Sequence, residues 1–133
     1  MEVIKNMDLV IQNGLVIDPE THLQQKMNIG IKNGRIAQLS QEKLQGKQVI
    51  EATGLIVAPG FIDLHVHEDT LSSTEGDKML PLETAAALLH TGVTTMVGGN
   101  CGFSALPIKE QLETVKQAQL PLNYYTLVGY ITL

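Results

Sequence analysis

Residues 59–69 read Pro-Gly-Phe-Ile-Asp-Leu-His-Val-His-Glu-Asp: a Pro-Gly turn, a short apolar run, and two imidazoles two positions apart at its end. Strand side chains alternate between faces, so His65 and His67 point one way while Val66 points the other. Two neighbouring nitrogen donors on one face suit a single divalent ion. A lone His-x-His also occurs as a pair of structural histidines, but the turn, the apolar strand and the acidic neighbours Asp63, Glu68 and Asp69 favour the metal. By parity Asp63 shares the histidines' face, where it reaches the metal region, orients a ligand nitrogen from behind, or serves as a buried acceptor. Asp69 continues that face if the strand runs so far; otherwise it opens the following loop.

Upstream of this segment, Leu9, Ile11, Leu15 and Ile17 alternate loosely around Asn13-Gly14, and residues 27–40 repeat the pattern around Asn33-Gly34. Asn-Gly between apolar alternations is a strong hairpin signal, because both residues tolerate positive φ. Val49-Ile50 and Leu55-Ile56-Val57 flank Thr53-Gly54 as further strands. Residues 1–58 therefore read as a small antiparallel sheet unit without a helix.

Downstream the periodicity changes. Leu82, Ala85, Ala86 and Leu89 fall on one side of a helix that begins at Pro81 and stops near Gly92. Val93-Thr-Thr-Met-Val97 is a strand leading into Gly98-Gly-Asn-Cys-Gly102, and Ile108, Leu112 and Val115 mark a second helix closed by Pro121. Strand, helix, strand, helix, strand is the order of a parallel sheet with crossover helices. Chemistry in such folds gathers at the carboxyl ends of the strands, where both His67 and Cys101 fall. The β-rich end of the chain, residues 123–133, has no later partner, which predicts continuation into a larger fold.

Cys101 lies among glycines that let backbone approach a ligand closely. A thiolate is a strong zinc ligand and completes a mixed Cys/His site with His65 and His67. Two other roles stay open for it: a nucleophilic thiol activated by histidine, and a small residue in a tight turn. Asn100 donates to a substrate or braces the loop. His22 reads as a loop surface residue, and His90 as a helix C-terminal cation. Ser104 lacks the Gly-x-Ser-x-Gly setting of a hydrolase nucleophile, and the glycines match no nucleotide-binding fingerprint.

The 133 residues suffice for one small domain and fall short of a large catalytic fold. A net charge of -5 with nine scattered basic residues leaves no footprint for nucleic acid or an anionic membrane. The lone cysteine excludes an internal disulfide framework and points to a reducing compartment. With no leader-like start and no apolar run near eighteen residues, the chain reads as soluble and cytoplasmic.

With these residues in hand, the chain resembles the amino-terminal part of a metal-dependent amidohydrolase. Leu9-Val-Ile-Gln-Asn-Gly-Leu-Val-Ile-Asp-Pro19 and Gly34-Arg-Ile36 are similar to the opening strands of that superfamily's small β-sandwich. Ala58-Pro-Gly-Phe-Ile-Asp-Leu-His-Val-His67 is similar to its first barrel strand. Gly92-Val-Thr-Thr-Met-Val-Gly-Gly-Asn-Cys-Gly-Phe-Ser104 resembles the second barrel strand of the D-aminoacylases, the N-acyl-D-amino-acid deacylases. Residues 126–133 resemble the third, with Tyr130 where a histidine is usual.

The resemblance implies an α/β fold: the first part of a (β/α)8 TIM barrel over residues 59–133, preceded by β-sandwich strands over 1–58. It implies Zn2+ as cofactor, with Cys101 a ligand of the tightly held site and His65 and His67 lining the adjacent, weaker one. Asn100 and Tyr130 are then substrate contacts, the phenol serving as a hydrogen-bond donor. The implied reaction is hydrolysis of the amide bond of an N-acyl-D-amino acid. The pattern also needs two further histidines and an aspartate general base from later strands, so the 133 residues alone are expected to be inactive. Dihydroorotase-like or isoaspartyl-dipeptidase-like hydrolysis is the alternative within the superfamily. A non-catalytic assembly module using an exposed half-barrel edge is the alternative outside it.

Overall fold

The computed structural model describes residues 6–67, 82–102, 104, 106–131 and 133. The chain divides into two compact units, Met1–Pro59 and Gly60–Leu133. Among the described residues no helix is long and apolar enough to cross a membrane.

The first unit is one sheet built on β1 (Met7–Asp18), with β2 (Leu23–Lys32), β3 (Arg35–Ser40), β4 (Gly46–Glu51) and β5 (Ile56–Val57). Its order is β3-β2-β1-β4, and β5 follows β4 along the same strand. The sheet is mixed rather than antiparallel: β2 runs against β1 and β3, but β4 and β5 run parallel to β1. Residues 41–45 carry the chain from one side of the sheet to the other. Leu44 in this crossover packs with Met7 and Val10, and all three are buried. Two buried amides hold its carbonyls: Gln12 Nε2 donates to Leu44 O at 3.0 Å, and Asn28 Nδ2 donates to Glu42 O at 2.9 Å. Buried polar side chains persist where their hydrogen bonds are met in this way.

The two Asn-Gly pairs behave differently. Asn33 (φ 52°) and Gly34 (φ 71°) form the two-residue turn between β2 and β3, as their tolerance of positive φ predicts. Asp8 Oδ2 accepts from Asn33 N–H at 2.9 Å and secures that turn. Asn13-Gly14 makes no turn. β1 continues through it as a bulge, with Asn13 at φ 63° and the register shifted between Ile11 and Gly14. Tertiary partners absorb the kink: Asn13 N–H donates to Asn28 Oδ1 at 2.8 Å, and Asn13 Nδ2 donates to the Glu51 carboxylate. The true β1–β2 connection lies at Pro19–His22, where Asp18 accepts from Glu20 N–H and the Thr21 hydroxyl.

The second unit contains β6 (Phe61–Asp63), α1 (Leu82–His90), β7 (Val93–Gly98), α2 (Ile108–Ala118) and β8 (Asn123–Thr126). The three strands are parallel in the order β6-β7-β8, with a helix between each consecutive pair. β6 is shorter than the apolar run, ending at Asp63, and β8 ends at Thr126 rather than continuing to Leu133. Ala85, Met96 and Leu122 form the buried core, with Val66, Leu88, Leu120 and Tyr124 packed against it.

The expected stripes hold at Ala85, which is fully buried, and at Ile108 and Val115, which are half-buried, and depart at one leucine in each helix. In α1 Leu88 packs inward and Leu89 is 38% exposed. In α2 Gln111 is buried and Leu112 is 42% exposed. The reason in α2 is specific: Gln111 Nε2 donates to the Tyr124 hydroxyl at 2.7 Å, so a polar residue occupies the inward position beneath an amphipathic partner. Gln119 closes α2 in the left-handed conformation, two residues ahead of Pro121.

Hydrogen bonds from the Thr53 hydroxyl and from Asn13 hold the Glu51 carboxyl below its usual pKa, and a hydrogen bond from Lys47 does the same for Asp8. A depressed native pKa stabilises the fold above the unfolded value, and that contribution is lost as pH falls through the native one. Glu51→Gln should therefore flatten the acid limb of stability in urea unfolding between about pH 6 and pH 3, by a small amount because the group is exposed. An unchanged pH slope would refute the assigned role of Glu51.

Candidate metal centre

The first part of the site is the chain just past β6. Val66 N–H donates to Val97 O at 3.2 Å, and the Val66 side chain packs on the core. Alternation then turns His65 and His67 to the other face, where both are exposed. Asp63 Oδ1 accepts from His65 N–H at 3.1 Å. Of the roles open to Asp63, that of hydrogen-bond acceptor is the one this bond performs, and it shapes the backbone ahead of the histidines.

The second part is the exit from β7. Three residues here have positive φ: Gly99 (71°), Cys101 (56°) and Gly102 (83°). Glycine is required at 99, because a Cβ there would lie 2.3 Å from Leu127 O. A non-glycine residue in the left-handed region costs on the order of 1–3 kcal/mol and is retained where its side chain must be aimed. Cys101 is such a residue, and its thiol is aimed at the histidines. Sγ stands 3.5 Å from His65 Nε2 and 3.5 Å from His67 Nε2. The rings are 5.2 Å apart between centroids and tilted by 55°.

One ligand atom from each of His65, His67 and Cys101 lies within 4.8 Å of the other two. A tetrahedral ion with metal–sulfur and metal–nitrogen bonds of roughly 2.3 and 2.0–2.1 Å separates those ligands by about 3.5 Å. The two sulfur–nitrogen distances thus match tetrahedral edges, and the cluster is capable of coordinating a metal ion, a single three-donor group where the resemblance implied two adjacent sites. Among the described residues the cluster includes no carboxylate.

Of the other expected residues, Asn100 is adjacent, but both hydrogens of its amide are spent on main-chain carbonyls, Val66 O at 3.2 Å and Val97 O at 2.7 Å. Of the two roles open to Asn100, donation to a substrate and bracing the loop, these bonds perform the second. Tyr130 lies against the Cys101–Gly102 turn: a Cβ on Gly102 would come within 2.9 Å of its Cε1, and Ile131 N–H donates to Gly102 O at 2.8 Å. The Tyr130 side chain is otherwise open to solvent. Asp69 and Glu68 lie outside the described residues. Ser104, unsuited as a nucleophile, accepts from Gly129 N–H at 2.9 Å and ties the strand exits together, a role no sequence signal marked.

The sequence profile of the amidohydrolase family matches residues 56–133, which holds both histidines and the cysteine. The chain belongs to the amidohydrolase family. Its three parallel strands and two helices are accordingly part of the family's (β/α)8 barrel. Allantoinase of Escherichia coli K12 is 33% identical over 130 residues, 95% of this chain and 25% of that protein. The N-acyl-D-glutamate deacylase of Bordetella bronchiseptica, solved with zinc and a phosphonate mimic of the tetrahedral intermediate, superposes with a TM-score of 0.72 at 28% identity. That match covers 95% of this chain and 30% of the deacylase. The L-hydantoinase of Arthrobacter aurescens gives a TM-score of 0.66 at 26% identity, over 90% of this chain and 27% of that one. This amidohydrolase chain thus spans about a quarter of the length of the curated relatives it matches.

Because Cys101 is the single cysteine, thiol titration of the whole chain reads this site alone. Zinc at saturating concentration should slow alkylation of Cys101 at least about tenfold, since only the free thiolate attacks. His65→Ala together with His67→Ala should restore most of the rate. Equal alkylation rates with and without zinc would show that the thiol is not a ligand.

Proposed function

We propose that the protein hydrolyses the amide bond of N-acyl-D-amino acids at a zinc ion held by His65, His67 and Cys101. The observation that carries this reading is the thiol: a sulfur at tetrahedral spacing from two imidazole nitrogens favours zinc over hard cations such as magnesium or calcium, which prefer oxygen. The Gly92–Ser104 resemblance to D-aminoacylases rests on the same cysteine. A D-aminoacylase structure described by its binuclear metal centre superposes with a TM-score of 0.74 at 25% identity, over 93% of this chain and 30% of that one.

A bound zinc ion would supply Lewis acidity, polarising the scissile carbonyl and acidifying water. The chain's own residues do the rest of what is described. The Val66 anchor and the left-handed Cys101 fix the donor set before any ion arrives, which limits reorganisation on binding. Tyr130, beside the Cys101–Gly102 turn, offers its phenolic hydroxyl to a polar group of the substrate. The general base, by resemblance an aspartate, belongs to a later strand than those described. Residues 1–58 then form part of the small β-sandwich domain and residues 59–133 the start of the barrel. The single free cysteine fits a reducing, cytoplasmic setting.

The 33% identity to allantoinase favours a second reading, the opening of a cyclic amide. The two separate in one assay of zinc-reconstituted protein. Release of free amino acid from N-acetyl-D-methionine should exceed that from the L-enantiomer at least about tenfold, a difference of about 1.4 kcal/mol in transition-state binding. Ring opening of hydantoin without release of amino acid from either enantiomer would replace the first reading with the second.

A further inference from the structure

The peptide between the two histidines is held at both of its polar groups. Val66 N–H donates to Val97 O at 3.2 Å, and Val66 O accepts from Asn100 Nδ2 at 3.2 Å. The same amide nitrogen donates to Val97 O at 2.7 Å. One side chain therefore clips the His-x-His segment to the end of β7, one position before the cysteine whose thiol faces both rings. β6 ends at Asp63, so His65 and His67 stand beyond its ladder. Among the described residues, the hydrogen bonds joining the backbone of residues 64–67 to β7 and its exit are the Val66 N–H bond and the Asn100 clip, and the Cys101 thiol adds contacts to the two rings.

Asparagine suits this position for a chemical reason. Two carbonyl oxygens converge on one nitrogen, and the planar amide presents two donors in fixed directions. A serine has one donor, and an aspartate has none when ionised and would face two carbonyl dipoles. The need for both donors also settles which way the amide is turned.

We propose that Asn100 is a positioning residue that sets the spacing between the His65–His67 pair and the Cys101 thiol, and thereby the site's affinity for a divalent cation, without touching the ion or the substrate. The proposal rests on the metal-binding reading of this cluster and adds to it the element that sets the cluster's dimensions. Groups behind metal ligands typically change affinity by about 10- to 100-fold when removed, so an effect of that size is expected here.

The test uses cobalt(II) as the probe ion, because a thiolate-to-cobalt charge-transfer band reports the Cys101 bond directly. In the intact protein Asn100→Ala should bind cobalt about 10- to 100-fold more weakly, with a reduced or shifted thiolate band, while the metal-free protein keeps its thermal midpoint within a few degrees. Should that variant not fold, Asn100→Asp keeps the volume and removes both donors. Its negative charge alone would attract a cation, so weaker cobalt binding by a folded N100D protein could arise only from lost bracing. Cobalt affinity and band within about twofold of the parent in folded N100A, or an unshifted thiolate band of parental intensity in folded N100D, would overturn the proposal. A parent protein without any thiolate band would instead overturn the metal-binding reading, and the proposal with it.

Discussion

The site depends on how the Val66 peptide is fixed. Its side chain is committed to the core formed by Ala85, Met96 and Leu122, and its N–H to Val97 O. With one residue pinned inward, strand alternation leaves its neighbours no choice but the opposite face. The two imidazoles are thus aimed by an apolar contact on the other side of the chain. The cost of exposing them is small, because histidine is at home at a wet surface.

The opposing donor is placed by a different device. Cys101 follows a strand that must stop, and it adopts a conformation that glycine accepts freely and cysteine does not. The turn is held by bonds to the chain leaving β8: Leu127 N–H donates to Gly98 O, Gly129 N–H to Ser104 Oγ, and Ile131 N–H to Gly102 O. One half of the cluster is set by packing and the other by a tightly bonded turn. Both lie at the carboxyl ends of parallel strands, where such folds place their chemistry.

What could be read in advance follows from the range of the forces involved. The alternation at His65 and His67, the Asn33-Gly34 turn and the extent of α2 are local, and local pattern revealed them. Asn13-Gly14 carries the same local signal as Asn33-Gly34 yet forms a bulge, because Asn28 and Glu51, distant in sequence, satisfy its polar groups within a continuing strand. Gln111 displaced Leu112 from the inner face of α2 for a similar reason, the Tyr124 hydroxyl that awaited it. Asp63 and Asn100 were legible as residues near the site, but their roles depended on which carbonyls and N–H groups the fold would bring beside them. The direction of β4 and β5 was equally hidden, since a crossover of five residues leaves little trace in hydrophobic period.

The central claim is that one sulfur and two imidazole nitrogens of this chain share one ion. X-ray absorption at the zinc edge of the reconstituted protein measures this without reference to substrate. The account predicts a single sulfur at about 2.3 Å together with nitrogen or oxygen neighbours at about 2.0–2.1 Å, two of them showing imidazole outer-shell scattering. A zinc shell without sulfur would contradict it.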